Sequence, residues 1–454
     1  MYVYLANSVG GGFFGHYTEK FISFISKTIN MKFGLSFLLI LFCTVSIAQQ
    51  SGKRIMRKTI TEESNVILDS FENDIRNEIA AKDIAGAAYV LYHKGAVVRM
   101  KAFGESDVDS HRPMQTTDIF RLASMTKPIA SLALLLLQED GLINMNDRLE
   151  EYLPAFTNLV VLDRIDTLNG MTVLQTHPAK KPILLRHLLT HTAGFASQHN
   201  GELRSLYRST FKDISASDLT YFAEQLASLP LNHEPGDGWI YGPSINIAAK
   251  VIEQVSGMSF QGFLEKRILG PMQMHKTRFY LDSIEANNLT SLYTLDEQGV
   301  MKVVDPGTVE SRLISGPKVH YSGSGGLTST LNDYLKFCIM LLNDGVHEGI
   351  VVAKPETIAL MKTDQVPLNI NADLNTQPGK LTEGFTFGYQ IVRTENNSSI
   401  KPKGTISWFG ATGSIFFIDP QEKVIGIYMT QMQPYSHINS RKNFSNSMLK
   451  SIMK

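Results

Sequence analysis

Ser124 and Lys127 stand three residues apart in the segment FRLASMTKPIASLALLLL, which begins at Phe120. Residues at this spacing share one face of a helix, so the lysine amine can approach the serine hydroxyl. The apolar run behind them is typical of a buried helix, where desolvation favours a neutral amine that can accept a proton. The helix N-terminus favours negative charge on the serine oxygen. The pair therefore predicts a serine nucleophile with an adjacent base, and the alternative is a polar cap with a lysine that reaches water.

The spacing is weak evidence without its context. Six serines have a lysine three residues later: Ser124, Ser209, Ser315, Ser398, Ser447 and Ser451. The Gly-Pro after Ser315 prevents a helix, Ser398 lies in an Asn/Ser-rich turn, and Ser451 ends the sequence. Ser209 and Ser447 lie in polar helical patterns, where a lysine simply points to water. Only Ser124 opens a wholly apolar run.

Other catalytic patterns are absent or incomplete. His187 and His191 have the i, i+4 spacing of a helical zinc site, but Leu188 stands where the general-base glutamate would be, and no third ligand follows. We therefore interpret both histidines as structural. The segment SGSGG fails the G-x-S-x-G pattern because Ser322 stands in place of the first glycine. The sequence contains no phosphate-binding loop, and we expect neither a metal nor another cofactor.

The composition is that of a globular protein with a large core. Of the 454 residues, 43% are hydrophobic and 19% are charged, and the formal net charge is zero. Without basic runs, nothing indicates binding to nucleic acid. We expect a small-molecule partner, an ester or an amide; the sequence leaves the oligomeric state open.

The first 48 residues do not resemble part of a fold. MKFGLSFLLILFCTVSIAQQ, from Met31, has the layout of a secretory signal peptide cleaved after Ala48, and residues 1–30 form an upstream extension. A membrane anchor is the alternative, but the apolar run is shorter than the ~20 residues that span a bilayer. We therefore predict an exported protein, periplasmic or secreted. Cys338 is then its only cysteine, which excludes an intramolecular disulfide.

Strand and helix patterns divide the mature chain into two parts. An amphipathic helix over 58–81 precedes a hairpin around Lys94-Gly95, and strands return near the C-terminal end in TISWFG, SIFFIDP and KVIGIYMTQ. Residues 145–320 show short helical patterns and loops. We predict an α+β fold, an α/β sandwich whose antiparallel sheet is built from both chain ends and flanked by helices. Its sheet domain comprises 58–144 and 321–454, and 145–320 form an inserted, mainly helical domain.

Five segments in this order resemble the serine β-lactamase and penicillin-binding-protein-like superfamily, especially its class C branch and the family VIII esterases. They are FRLASMTK, LLRHLLTHTAGF, EPGDGWIYGPSINIAAKVIEQVSG, GSGGLTSTLNDYLKF and ISWFGATGSIFFIDPQEKVIGIYMTQ. The resemblance spans roughly residues 60–435. It implies a β-lactamase/transpeptidase-like fold, with Ser124 as the nucleophile and Lys127 as the base or proton relay. Tyr241 takes the place of the tyrosine that exchanges a proton with the leaving group. Which of Lys127 and Tyr241 is the acylation base stays open.

The resemblance also implies a substrate-binding strand. Trp408, Phe409 and Gly410 occupy the place of the family's K-T-G motif. Ala411 would then supply one N–H of the oxyanion hole and Ser124 the other. An acyl-enzyme on Ser124, hydrolysed by water, is the mechanism that the resemblance implies.

Two departures from the family pattern bear on the substrate. Tyr241 is followed by Gly242 and Pro243, so the asparagine that bonds a substrate amide is missing. Trp408 replaces the Lys or His that meets a carboxylate, and the two losses remove roughly 2–5 kcal/mol of selective recognition. Both changes are typical of esterase-like members. We therefore predict a carboxylesterase acting on small to medium acyl esters.

Other functions stay open at this point. The same superfamily includes D-Ala-type peptidases and weak β-lactamases. A transacylase that hands the acyl group to an alcohol is also compatible with these residues. A catalytically silent binding module on the same fold is an alternative of a different class, although the set of Ser124, Lys127 and Tyr241 argues against it.

Overall fold

An antiparallel sheet is the frame of the computed structural model, which describes residues 61–169, 171–368, 370, 382–394 and 400–453. The expected signal peptide and Ser398 lie outside these described residues. Within them, residues 61 onward form one compact unit. None of the helices found there is long and apolar enough to cross a bilayer.

The strands and helices follow the chain in this order. The strands are β1 Gly86–His93, β2 Ala96–Asp107, β3 Arg112–Pro113, β4 Phe120–Arg121, β5 Val160–Leu168, β6 Met171–Pro178, β7 Leu292–Leu295, β8 Met301–Asp305, β9 Thr328–Ser329, β10 Val346–His347, β11 Ile350–Val351, β12 Glu383–Phe385, β13 Gln390–Val392, β14 Ile406–Phe409, β15 Ile415–Asp419 and β16 Val424–Thr430. The α-helices are α1 Glu62–Ala80, α2 Lys127–Glu139, α3 Leu149–Tyr152, α4 Leu185–Thr190, α5 Arg204–Thr210, α6 Leu219–Ala227, α7 Ser244–Ser256, α8 Phe260–Leu264, α9 Arg312–Ser315, α10 Leu331–Leu342, α11 Pro355–Met361 and α12 Asn439–Ile452.

Both ends of the described chain contribute to the main sheet. Among the described residues its eight strands run in the order β12-β13-β14-β15-β16-β1-β2-β3. The centre is the antiparallel pairing of β1 with β16, in which Tyr89 lies opposite Tyr428. The predicted α+β fold with a sheet closed by its two ends is confirmed.

Alternation along β1 sends its side chains to two different cores. Ala88 and Val90 pack in the large core with α2 and the middle of the chain. Tyr89 and Leu91 point the other way and pack with α1 and α12. This period of two is what a strand covered on both faces requires. The sheet therefore separates a helical layer that carries the candidate site from a layer made by the first and last helices.

The segment before α2 differs from the expected continuous helix. Ala123–Thr126 form one turn of 3₁₀ helix, and the α-helix begins only at Lys127. Pro128 lies in the first turn of α2, where its missing N–H costs little. Because a 3₁₀ turn has three residues, residues i and i+3 eclipse, which aligns Ser124 with Lys127 more closely than an α-helix would.

The middle of the chain contains hairpins as well as helices. β5 pairs with β6 from Val160 to Pro178, and β7 pairs with β8 from Leu292 to Asp305. Neither hairpin was part of the sequence expectation for 145–320. The division of the chain into a sheet domain and an inserted domain stays a prediction.

Candidate active site

Ser124 and Lys127 face each other at the start of α2. The Lys127 amine donates to Ser124 Oγ at 3.1 Å and to the carbonyl oxygen of Ser324 at 2.7 Å. Lys127 is only 3% exposed. None of the ion pairs among the described residues includes it. A buried lysine whose polar neighbours are a hydroxyl and a carbonyl is well placed to exchange a proton with that hydroxyl.

The backbone before Ser124 is held in an unusual conformation. Ala123 has φ of 45°, in the left-handed region that costs a residue with a Cβ roughly 1–2 kcal/mol. The chain just after β14 lies close to this segment: a Cβ added to Gly410 would be 2.5 Å from the Leu122 carbonyl oxygen. Thr412 Oγ1 also donates to the Arg121 carbonyl at 3.1 Å. The turn after β14 is thereby fixed against the serine.

The glycine-rich loop, residues 322–326, completes the surroundings of Lys127. Asn246, on α7, accepts from Ser322 Oγ and from the Ser324 N–H, both at 2.9 Å. These bonds orient the Ser324 carbonyl that accepts from Lys127. The hydroxyl of Ser324 is buried and has no hydrogen-bond partner among the described residues. Neither the loop nor Asn246 was a site candidate from the sequence, where the loop appears as a failed nucleophile motif and within one of the five segments of the family resemblance.

Tyr241 lies directly against Lys127. The Lys127 amine is 4.6 Å from the centroid of the Tyr241 ring. The Tyr241 hydroxyl is buried and has no hydrogen-bond partner within the described part of the chain. The structure thus brings together Ser124, Lys127 and Tyr241, which are up to 117 positions apart in the sequence.

An aromatic cluster surrounds Tyr241. Its ring centroid is 5.3 Å from that of Trp408, 6.2 Å from that of Trp239 and 4.7 Å from that of His191. Phe385 also packs on Trp408, at 5.1 Å. Trp239 and Phe385 were not site candidates, and the sequence suggested a structural role for His191 once a zinc site was set aside. Residues from separate parts of the sequence reveal no common site until the fold is known.

The predicted substrate strand lies beside this cluster. Trp408 is buried behind Tyr241. Phe409 is half-buried, and its ring centroid is 5.9 Å from that of Tyr435. Gly410 directly follows β14 and lies against the Leu122 carbonyl, and Ala411 is exposed in the turn that follows. The roles of Trp408, Phe409 and Gly410 in substrate binding, and of Ala411 in an oxyanion hole, stay predictions.

The two histidines of α4 differ in their surroundings. His187 accepts from the Leu184 N–H at 3.2 Å, and its pKa is lowered to about 4, mainly by burial. His191 is more deeply buried, and desolvation followed by the Lys127 charge holds its pKa well below the ordinary value. No cluster of three metal-ligating side chains occurs in the described ranges.

Two cavities open at the glycine-rich loop. The first, here called the aromatic cavity, has a volume of about 280 Å³ and reaches Tyr241 and Ser324. Its wall away from the site consists of Tyr207, Phe211, Ile214 and Phe222. No Asp, Glu, Lys or Arg is among the described residues that line it. The second, the Arg312 cavity, measures about 430 Å³ and shares His320, Ser322 and Ser324 with the first.

The family profile described as Beta-lactamase matches residues 71–443, most of the chain. This chain belongs to the Beta-lactamase family. An uncharacterised Mycobacterium tuberculosis protein is 31% identical over 81% of this chain and 90% of its own length. The lovastatin esterase of Penicillium rubens is 27% identical over 77% of this chain and 86% of its length. The membership confirms the resemblance inferred from the five segments.

Solved structures of this family share the fold. The simvastatin synthase of Aspergillus terreus superposes with a TM-score of 0.73 at 21% identity, covering 85% of this chain and 98% of that one. At this identity the likeness establishes the architecture alone. Esterases and acyltransferases among the Beta-lactamase family relatives support serine hydrolase activity for this member.

Proposed function

We propose that this Beta-lactamase family member is a carboxylesterase that forms an acyl-enzyme on Ser124. The observation that carries the proposal is the contact of Lys127 with both Ser124 Oγ, at 3.1 Å, and the Tyr241 ring, at 4.6 Å. These three groups supply a nucleophile, an amine and a phenol in one buried cluster, which is what acyl transfer through a covalent intermediate requires.

In the proposed reaction, Ser124 Oγ attacks the ester carbonyl while its proton moves to Lys127 or Tyr241. The backbone N–H groups of Ser124 and Ala411 stabilise the oxyanion of the tetrahedral intermediate. Tyr241 protonates the departing alcohol, the carbon–oxygen bond breaks, and the acyl group stays on Ser124. A water oxygen then attacks the acyl carbon while a proton of that water moves to the same groups. The bond from the acyl carbon to Ser124 Oγ breaks, Ser124 Oγ takes that proton back, and the acid is released.

The proposed substrate is an uncharged ester of small to medium size. The aromatic cavity reaches Tyr241 and offers an apolar wall without charged side chains. A carboxylate-bearing β-lactam or peptide would lose hydration there without gaining a cationic partner. Trp408, in place of a cationic residue, supports the same choice over the peptidase and β-lactamase alternatives.

A panel of substrates tests this proposal. We expect hydrolysis of p-nitrophenyl acetate and butyrate, weak or no turnover of nitrocefin and D-Ala-D-Ala peptides, and loss of all activity in Ser124→Ala. Ser209→Ala is the matched control, because Ser209 also precedes a lysine by three residues but is exposed on α5. Esterase activity that survives Ser124→Ala, or stable labelling by a fluorescent penicillin without esterase activity, would refute the proposal. Failure of a fluorophosphonate to label Ser124 would favour the silent binding module.

Acyl transfer to an alcohol is the second candidate function. The two cavities meet at Ser322 and Ser324, so an acyl group and an acceptor could approach the site from different sides. Several family relatives are named as acyltransferases. Product analysis with an added alcohol distinguishes the two activities: a new ester supports transfer, and free acid alone supports hydrolysis.

We further propose export directed by residues 31–48. The support is the sequence pattern of a short basic start, an apolar stretch and Ser46-Ile47-Ala48. N-terminal sequencing of the mature protein should begin at Gln49. A mature chain that still carries residues 31–48 would contradict this proposal.

A further inference from the structure

His191 contacts the Tyr241 segment at three points. Its carbonyl oxygen accepts from the Ile240 N–H at 3.0 Å, and its Nδ1 accepts from the Gly242 N–H at 3.4 Å. Between these two bonds, the imidazole ring packs edge-on against the Tyr241 ring, with centroids 4.7 Å apart. Both neighbours of Tyr241 and its aromatic ring are thus held by a single residue.

His191 is itself rigidly placed. It ends α4 in the left-handed conformation, with φ of 57°, and its N–H donates to the His187 carbonyl. The side chain is 1% exposed and also packs against Trp239 and Phe385. Because Nδ1 accepts a hydrogen bond, the neutral ring carries its proton on Nε2. A fixed, neutral imidazole can hold a neighbouring segment without placing a second cation beside Lys127.

Tyr241 has few other directional contacts. Its hydroxyl has no hydrogen-bond partner among the described residues. The rings of Trp239 and Trp408 confine it sideways, but apolar packing allows sliding. Asn200 donates to the Tyr241 carbonyl at 3.1 Å, from a side chain on the exposed side of the segment. The two bonds that His191 accepts, one on either side of Tyr241, are therefore the ones that set where the Tyr241 ring sits against Lys127.

We propose that His191 is a positioning residue for the reaction, which keeps the Tyr241 hydroxyl aligned for proton transfer to the leaving group. The inference rests on the proposed acyl transfer at Ser124. It replaces the purely structural interpretation of His191 that the sequence suggested. His191 touches neither Ser124 nor a substrate in this account and acts through Tyr241.

Two variants of His191 distinguish the contribution of its aromatic ring from that of its Nδ1 hydrogen-bond acceptor. His191→Phe keeps an aromatic ring but removes Nδ1. His191→Asn removes the ring but retains an acceptor on Cγ and tolerates the left-handed backbone. His187→Phe is the matched control, because His187 lies on the same helix and also accepts a backbone N–H. Thermal unfolding of each purified variant identifies any that do not fold.

A comparison of kcat on esters with different leaving groups shows whether His191 positions the Tyr241 hydroxyl or only packs against its ring. A p-nitrophenolate departs with little help from an acid, whereas an alkoxide needs a proton. We expect His191→Phe to lower kcat on an alkyl butyrate by about 10- to 100-fold, the cost of a misplaced catalytic group, with a smaller loss on p-nitrophenyl butyrate. KM should change little, and His191→Asn should retain most of the wild-type kcat.

A double-mutant cycle with Tyr241→Phe decides the inference. If His191 acts through the Tyr241 hydroxyl, His191→Phe causes no further loss in the Tyr241→Phe background. Equal losses in both backgrounds, or equal losses on both leaving groups, would overturn it. If His191→Phe does not fold, a loss in folded His191→Asn as large as that of Tyr241→Phe would also overturn it. Activity that persists in Ser124→Ala would instead refute the proposed function.

Discussion

Lys127 raises the question of why a buried lysine is tolerated at the start of an apolar helix. A charged amine without a partner in such a place would cost several kcal/mol. The structure supplies three neighbours instead of a carboxylate: the Ser124 hydroxyl, the Ser324 carbonyl and the electron-rich face of Tyr241. These neighbours accommodate the amine without neutralising it through an ion pair, so its proton remains available for exchange.

The hydroxyl of Tyr241 is the group whose removal tests this residue-scale chemistry most directly. In Tyr241→Phe the aromatic packing is preserved, and a buried hydroxyl without a partner among the described residues disappears. We expect the free energy of unfolding to stay unchanged or to rise slightly. We expect kcat to fall by about 10²- to 10⁴-fold, the usual contribution of general acid–base catalysis. Denaturant unfolding and steady-state kinetics on an alkyl butyrate measure both effects, and a variant with wild-type kcat would exclude a role for the hydroxyl.

At the scale of elements, the site depends on segments that meet only in the folded chain. Ser124 and Lys127 are close in sequence, and the 3₁₀ turn before α2 aligns them. Tyr241 precedes α7, the 322–326 loop precedes β9, and Gly410 follows β14. The sequence marks Ser124, Lys127 and Tyr241 as candidates because each lies in a local motif, and their catalytic roles stay predictions. It could not predict the Asn246 bonds to the 322–326 loop, because no local pattern pairs these segments.

The β5–β6 hairpin has a turn motif in the sequence, although the sequence pattern predicts a mainly helical segment there. Strands β5 and β6 pair up to Leu168 and Met171, and the sequence between these two residues is Asn-Gly, a dipeptide typical of tight hairpin turns. The surrounding residues have many charges and short helical patterns on either side, which favoured a helical description of the whole insert. The main sheet, by contrast, was predictable because its central strands are long and strongly apolar.

The junction between β14 and the Ser124 segment should be sensitive to one added carbon. In Gly410→Ala, the new Cβ would lie 2.5 Å from the Leu122 carbonyl, so strand and serine must move apart. We expect kcat to fall by about 10²-fold, since small displacements of a nucleophile from its oxyanion donors have effects of this size. Gly262→Ala is the control, because only the ends of the Ser259 and Met258 side chains, and no backbone atom beyond its own helix, lie within 4 Å of the added carbon. Wild-type kcat in Gly410→Ala would show that the turn is not part of the site.

The wall of the aromatic cavity should set the length of the acyl or alcohol group. Ile214 is half-buried on this wall, so Ile214→Phe can reduce the volume with little effect on the core. We expect p-nitrophenyl acetate hydrolysis to stay near wild type, while esters of longer acids lose about 10- to 200-fold in kcat/KM. A series of p-nitrophenyl esters from acetate to octanoate measures the shift. An equal loss on all chain lengths would mean that this cavity does not hold the substrate.

At the scale of the whole molecule, the sheet separates the candidate site from a layer formed by the first and last helices. α1 and α12 cover the face opposite α2. There the ring centroid of Phe444 is 5.7 Å from that of Phe71 and 5.6 Å from that of Tyr428. Glu72 connects α1 to the sheet: it accepts from Tyr89 at 2.8 Å, from Arg99 at 3.0 Å and from Lys101 at 2.6 Å. This buried network lies behind β1 and β2, away from Ser124.

Glu72 should make the protein sensitive to acid. Burial favours its protonated form, but the hydrogen bonds from Lys101, Tyr89 and Arg99 outweigh burial and hold its pKa below the ordinary value of 4.5. A carboxyl group with a lowered folded-state pKa stabilises the fold above its unfolded-state pKa, and this stability is lost as the pH falls through the folded-state pKa.

In Glu72→Gln the charge-assisted bonds are lost, so we expect a decrease of about 1.5–3 kcal/mol in the free energy of unfolding at pH 7. The difference from wild type should shrink as the pH falls below 4.5, because Glu72 of the unfolded chain then takes up a proton, whereas folded Glu72 takes one up only at a lower pH. Urea unfolding at a series of pH values measures it. A difference that is the same at pH 7 and at pH 3.5 would contradict this role. The kcat of the folded variant at pH 7 should match wild type.

The aromatic cavity draws its far wall from residues 207–222, whereas Ser124, Lys127 and Tyr241 come from other parts of the chain. If the proposed ester binds in this cavity, changes within this short stretch will alter which molecules fit while Ser124, Lys127 and Tyr241 stay in place. Such a separation lets new substrate preferences arise by few mutations. Laboratory evolution of a new preference could for the same reason be confined to these sixteen codons, with the reactive groups left intact.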